Sequence, residues 1–316
     1  MSDLPETANK DPFVAEFLAS LELESASPYT LRNYRQALEE FIAWKTKETG
    51  APPHWPALAR DDFRYYLRFL GRTNRGRSAL SLRFSALRSF YKFLIRKGVV
   101  TESPIKNIAL PKREKKLPRF LGVDQMHALL QAPTRLAEAF ARAGKKAKVV
   151  QCLRDQAILE LFYSSGIRIS ELCSLRANQL DMAERSLRVF GKGKKERLLP
   201  LGSHAQGAIQ NYWASLKVPP ALHEPIFFLS EKKRAPLSPR VVQLWLKKYL
   251  AVAGLDPQLT PHKIRHTYAT HLLDAGADLR SVQELLGHAH VITTQVYTHV
   301  TTERLKKVYD SAHPRA

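Results

Sequence analysis

Several side chains in the C-terminal half have the types and spacing that chemistry can use. In PHKIRHTYATHLL, Pro261 suits the first turn of a helix, so His262 and Arg265, three residues apart, share one face. A guanidinium fork grips a phosphate through two parallel bonds, and an imidazole donates or shuttles a proton. In SSGIRISELCSL, Arg168 follows a glycine turn and precedes a short helix; Glu171 is either its ion-pair partner or a support for it. GKGKKER is a glycine-flexed basic turn carrying Lys192, Lys194 and Lys195. LGHAHVITTQVYTHV holds His288 and Tyr297, and there the phenol is either a ring packed on a core or a nucleophile.

Each feature alone has a plainer explanation. A lone arginine is commonly a salt-bridge residue, and many hairpin tips carry lysines. His262 and His266 have metal-ligand spacing, but the helix lacks the acidic residue of H-E-x-x-H and neither cysteine is near, so no metal is expected. GKGKKER does not match the phosphate-binding G-x-x-x-x-G-K-[ST] pattern, so no nucleotide cofactor is expected either.

The elements that must position these groups follow from periodicity and punctuation. Residues 1–111 read as about four helices: one opening at Asp11-Pro12, one running from Ser27-Pro28 to Gly50, then RDDFRYYLRFLG and RSALSLRFSALRSFYKFLIRKG, each ending in glycine. Residues 112–118, within a proline- and lysine-rich stretch, read as a linker, and 119–316 as a second domain. That domain opens with the helix VDQMHALLQA. RLAEAFARAGKKAKVV then reads as a helix with an exposed turn, and a buried helix ends at Gly166. Leu187, Val189 and Leu198 flank the lysine turn and predict a β-hairpin. PIFFL predicts a short strand, and the remaining segments return to helix. The fold class expected is therefore mainly α, a helical bundle followed by an α+β domain with a small antiparallel sheet.

The chain has 50 Lys+Arg against 29 Asp+Glu, a net charge of +21 over 316 residues. The surplus lies in both halves and favours a polyanion, with nucleic acid first. Two basic domains joined by a short linker suit a clamp around a duplex. Cys152 and Cys173 give no disulfide framework, which fits a reducing cytosol. No signal peptide and no apolar run long enough for a membrane span is seen, so no membrane partner is expected.

Taken in order, Arg168, the hairpin lysine, His262/Arg265, Gly287-His288 and Tyr297 resemble the tyrosine recombinase (phage integrase) family. LPRFLGVDQMHALL, SSGIRISELCSL, GKGKKERLLPLG and the block PHKIRHTYATHLLDAGADLRSVQELLGHAHVITTQVYTHV are most like the bacterial XerC/XerD-type site-specific recombinases. The resemblance covers nearly the whole chain, more loosely in the N-terminal helices.

It implies a core-binding (SAM-like) bundle joined to a catalytic domain. Tyr297 would be the nucleophile of a 3′-phosphotyrosyl intermediate. Arg168, Arg265, His262 and His288 would surround the phosphate, Lys192 would be the acid, and Glu171 a support. It further implies exchange through a Holliday junction in a homo- or heterotetramer with a paralogous recombinase. Chromosome dimer resolution, activation by a septal FtsK-like translocase, and a cytoplasmic, nucleoid-associated location go with it. No small-molecule substrate is implied. The alternatives are a mobile-element integrase, a type IB topoisomerase, or a non-catalytic architectural DNA-binding protein. Residues 301–316 are expected to dock on a neighbouring protomer. One stretch departs from the resemblance: Pro133–Val150 is longer than the usual connection at that point.

Overall fold

The computed structural model describes residues 11–24, 26–73, 76–111, 120–191, 196–287 and 299–316. The chain divides into two compact units, Met1–Lys116 and Leu117–Ala316. The segment read as a linker lies outside the described residues.

Among the described residues, four α-helices build the first unit: α1 (Pro12–Leu23), α2 (Pro28–Thr49), α3 (Arg60–Arg72) and α4 (Arg77–Arg96). Their starts are chemical. The Asp11 and Ser27 side chains accept from the amides of Val14 and Thr30, with proline behind each cap. Gly50 closes α2 in the left-handed conformation at φ +76°. The glycine expected to end α3 does not, because the helix runs through Gly71 and stops at Thr73. The core is aromatic: Phe41 packs on Trp44, Trp55, Phe63 and Tyr66 with centroids 5.0–5.6 Å apart. Asp11 serves twice, since its other carboxylate oxygen accepts from Trp55 Nε1 at 2.8 Å.

The second unit begins with α5 (Val123–Arg142) and α6 (Lys146–Ser165), a long helical hairpin. Pro133 lies inside α5 without ending it. Next come α7 (Ile169–Ser174) and an antiparallel sheet, β1 (Leu180–Asp181), β2 (Ser186–Phe190) and β3 (Glu196–Pro200), in that order. The expected hairpin is present, but its buried face is not the one the apolar pattern suggested. Leu187 pairs with Leu199 and Val189 with Arg197, all four buried, whereas Leu198 is half-buried and paired with the exposed Arg188. The helices α8 (Ser203–Ala214), α9 (Pro239–Val252), α10 (Pro261–Asp274), α11 (Leu279–Leu286) and α12 (His299–Ala312) complete the unit.

PIFFL is not a strand. Pro225 and Phe228 make only isolated bridges, to Arg176 and Pro236. The carbonyls of Phe228 and Leu229 instead accept from the buried Arg154 guanidinium, each at 2.9 Å, so no ladder forms there.

Candidate active site

Three helix ends converge in the second unit, those of α6 and α11 and the start of α7, and arginines tie them together. Gly166 caps α6 at φ +57°, and Gly287 caps α11 at φ +62°. Both positions also lack room: a Cβ on Gly166 would lie 2.5 Å from the Tyr268 ring, and one on Gly287 3.1 Å from the Arg197 side chain. The turn at Gly166 delivers Arg168 to the N-cap of α7, where its amide donates to Glu171 Oε2 at 2.9 Å.

Arg168 and Arg197 both hold Glu171. Arg197 donates to the two carboxylate oxygens at 2.8 Å each, and Arg168 Nη1 adds a bond at 2.9 Å. Arg168 Nη2 reaches the Gly287 carbonyl at 2.9 Å. Arg265, buried on α10, spans the Gly166 and Leu286 carbonyls. It thereby joins the end of α6 to the end of α11.

Burial would raise the Glu171 carboxyl, but the bonds and charge of Arg197 and Arg168 outweigh it and hold Glu171 below the usual glutamate range. Burial, then the charges of Arg168 and Arg197, pull Arg265 down to about 10, so it stays cationic at neutral pH. Three guanidiniums around one carboxylate leave a surplus of positive charge in a half-buried setting. Such a site favours an anion with several acceptor oxygens.

The structure thus brings Arg168, Arg265 and Glu171 together. His262 lies one turn before Arg265 on α10 and is exposed, as is His266. Lys192, Lys194, Lys195, His288 and Tyr297 lie outside the described residues. Sequence reasoning missed Arg197. Its signal was the period-two pattern: two residues before the buried Leu199, it falls on the inward face of β3.

Behind this cluster, a second polar network holds the C-terminus. His271 Nε2 donates to the Leu121 carbonyl and Nδ1 accepts from Tyr163 OH, both at 2.8 Å. His313 Nε2 donates to the Tyr163 carbonyl at 3.0 Å, and Nδ1 accepts from the Arg315 amide at 3.1 Å. Arg315 forks onto the buried Glu160 at 2.7 and 3.1 Å. Through these bonds His313 and Arg315 hold the last residues against α6 of their own chain. Among the described residues, no three or more His, Cys, Asp or Glu side chains are grouped to hold a metal ion. No helix among them is long and apolar enough to cross a membrane.

The phage integrase family model matches residues 119–304, and the phage integrase N-terminal SAM-like model matches 14–98. The chain belongs to the phage integrase family. Among its relatives, the tyrosine recombinase XerC of Pelotomaculum thermopropionicum is 40% identical over 96% of this chain and 98% of its own length. That of Alcanivorax borkumensis is 41% identical over 96% and 94%. Two solved structures share the fold. XerH site-specific recombinase bound to palindromic difH substrate gives a TM-score of 0.67 at 19% identity, over 92% of this chain and 83% of that one. A lambda integrase dimer bound to a COC′ core site gives 0.63 at 18%, over 90% and 97%. The activity that goes with this membership is site-specific DNA recombination by a tyrosine recombinase.

Proposed function

We propose that Tyr297 attacks a DNA phosphodiester held by Arg168 and Arg265, and that the reaction serves to resolve chromosome dimers at cell division. The observation that carries this reading is the arginine cluster: two guanidiniums anchored to backbone carbonyls, with Glu171 and Arg197 fixing one of them. Groups held in this way need little rearrangement as charge builds on the phosphoryl oxygens.

The roles follow from the chemistry of each group. A free phenol has a pKa of about 10, so it needs a base to attack at neutral pH. His262 accepts that proton, and His288 donates a bond to a non-bridging oxygen. The Tyr297 oxygen–phosphorus bond forms as the bond to the 5′-oxygen breaks. Lys192 protonates that 5′-oxygen as it leaves. Glu171 is a positioning residue. The 3′-phosphotyrosyl link conserves the ester, so a 5′-hydroxyl from a partner duplex reverses the step without ATP. Two such exchanges pass through a Holliday junction. The partners in this reading are a duplex recombination site and a tetramer of like or paralogous protomers. A septal FtsK-like translocase activates the assembly, on the nucleoid in the cytoplasm.

A nicked duplex that loses its 5′-hydroxyl fragment after cleavage tests the chemistry. The wild-type chain should accumulate a covalent protein–DNA adduct, and Tyr297→Phe should form none. An adduct formed by the Phe variant would remove Tyr297 from its role. Trapping on genomic fragments and sequencing the attached DNA then identifies the site and separates dimer resolution from integration of a mobile element.

A further inference from the structure

The α5–α6 hairpin ends in a charged tip that the reaction above does not use. From Ala141 to Lys148 every residue is exposed, and none has an apolar side chain larger than alanine. Arg142 closes α5, and Lys145, Lys146 and Lys148 open α6. Lys248 of α9 joins the same region, its Nζ 5.7 Å from the centre of the Phe140 ring on α5. None of these five cations forms an ion pair among the described residues.

Their placement is locally unfavourable. The N-terminus of a helix carries partial positive charge and ordinarily attracts acidic residues. The first turn of α6 has no acidic residue and no side-chain cap, but two lysines just inside it and a third at the cap. Repulsion among these groups is relieved when an anion with several oxygens lies across them.

We propose that this tip is a second docking surface for duplex DNA, gripping the phosphate backbone away from the arginine cluster. The partner follows from the surface. Protein interfaces centre on buried aromatic or large apolar anchors, and the tip offers none. Flexible lysine stems suit sequence-independent phosphate contacts rather than base reading. The location follows from α6 itself. Its 20 residues span about 30 Å, with the tip at one end and Gly166, whose carbonyl Arg265 holds, at the other. That distance is about nine base-pair steps, which sets how far from the cleaved phosphate the proposed contacts would lie. The proposal rests on the DNA reading given above.

The test compares wild type with a variant carrying Arg142→Gln, Lys145→Gln, Lys146→Gln and Lys148→Gln, on mixed-sequence duplexes of about 12 and about 40 base pairs across a salt series. On the long duplex the variant should bind about tenfold more weakly. Its dependence of log affinity on log salt should flatten by about 0.9 for each lost phosphate contact, or by about 3.6 if all four cations contact phosphates. On the short duplex the two proteins should agree within about twofold. Glutamate in place of glutamine should enlarge the long-duplex effect, and matched melting curves exclude misfolding, since every altered side chain is exposed.

Equal affinities and equal salt slopes on the long duplex overturn the proposal. So does a variant that keeps its DNA affinity but loses binding to polyglutamate, which would make the tip a dock for an acidic protein. The covalent adduct on the nicked substrate is read in parallel. If both proteins form it, a null result condemns the tip alone. If wild type forms none, the reading of the reaction fails instead.

Discussion

The two units bury opposite things. The first fills its interior with rings and aliphatics; among its described residues the buried charged group is Arg83, which forks onto Glu40 at 2.5 and 2.7 Å. The second buries Arg154, Asp155, Glu160, Glu171, Arg197, Arg265, His271 and His313. Ionised groups taken out of water cost several kcal/mol each unless paired, and well-packed apolar residues would stabilise as well or better. A domain that carries so many is shaped by something other than stability. In this unit the charges do two things: they assemble an anion site around Arg168, Arg197 and Arg265, and they clasp the C-terminal tail through Arg315 and Glu160.

The largest effect is expected at the anion site of the second unit. Arg265→Ala should slow single-turnover cleavage of the nicked substrate by about ten-thousandfold, the scale of a lost arginine contact in phosphoryl transfer. A loss of less than about tenfold would reduce Arg265 to a structural tie. Phe41→Ala makes the opposite cut. It should destabilise the first unit by about 4 kcal/mol in denaturant unfolding of the full chain. The cleavage rate on saturating DNA, below the melting range, should stay near wild type. A matching loss in that rate would mean the aromatic core also sets the chemistry.

Acid sharpens the contrast further. Burial lowers His313 from 6.5 to about 4, so the folded tail resists a proton that the unfolded chain accepts. Above pH 6.5 both states are neutral and nothing is lost. Between 6.5 and 4 the unfolded state binds the extra proton, and stability should fall by about 3 kcal/mol. His271 is lowered in the same direction, chiefly by burial. Unfolding measured across that window should show the slope, and His313→Gln should flatten it; an unchanged slope would assign it to other groups. The smallest effect belongs to the surface of the first unit. Arg96 and Glu24 meet at 3.3 Å, but both are more than half exposed. Arg96→Ala should change the unfolding free energy by less than about 0.5 kcal/mol.

Much of this was legible in the sequence because it is local. Asp11-Pro12, Ser27-Pro28 and Gly50 mark helix ends through bonds that span three or four residues. Arg168 and Glu171 were readable for the same reason, since a short helix places them together. Arg265 was readable by its pairing with His262 in a specific motif, but not the carbonyls it binds, which lie 99 and 21 residues away. Arg197 was missed because a basic residue beside a lysine-rich turn looks like surface. The period-two signal depends on which of the adjacent Leu198 and Leu199 faces inward; the register, with Leu187 opposite Leu199 and Val189 opposite Arg197, selects Leu199 and with it Arg197. PIFFL misled for a related reason. Its apolar run is buried, as strand composition suggests, but a distant guanidinium takes the carbonyls that a neighbouring strand would need.

Gly166 and Gly287, the two glycines packed against the arginine site, set a dimensional tolerance. At Gly166 the backbone lies against the Tyr268 ring with no gap for a methyl group, and at Gly287 a methyl group would press the Arg197 side chain by tenths of an ångström. Added bulk at either point pushes directly on the carbonyls that Arg265 and Arg168 hold. A swelling too small to unfold the unit would still spread the arginines by tenths of an ångström, and catalytic geometry is sensitive at that scale. Temperature-sensitive variants should therefore cluster beside these two positions, failing in activity at temperatures where the fold persists.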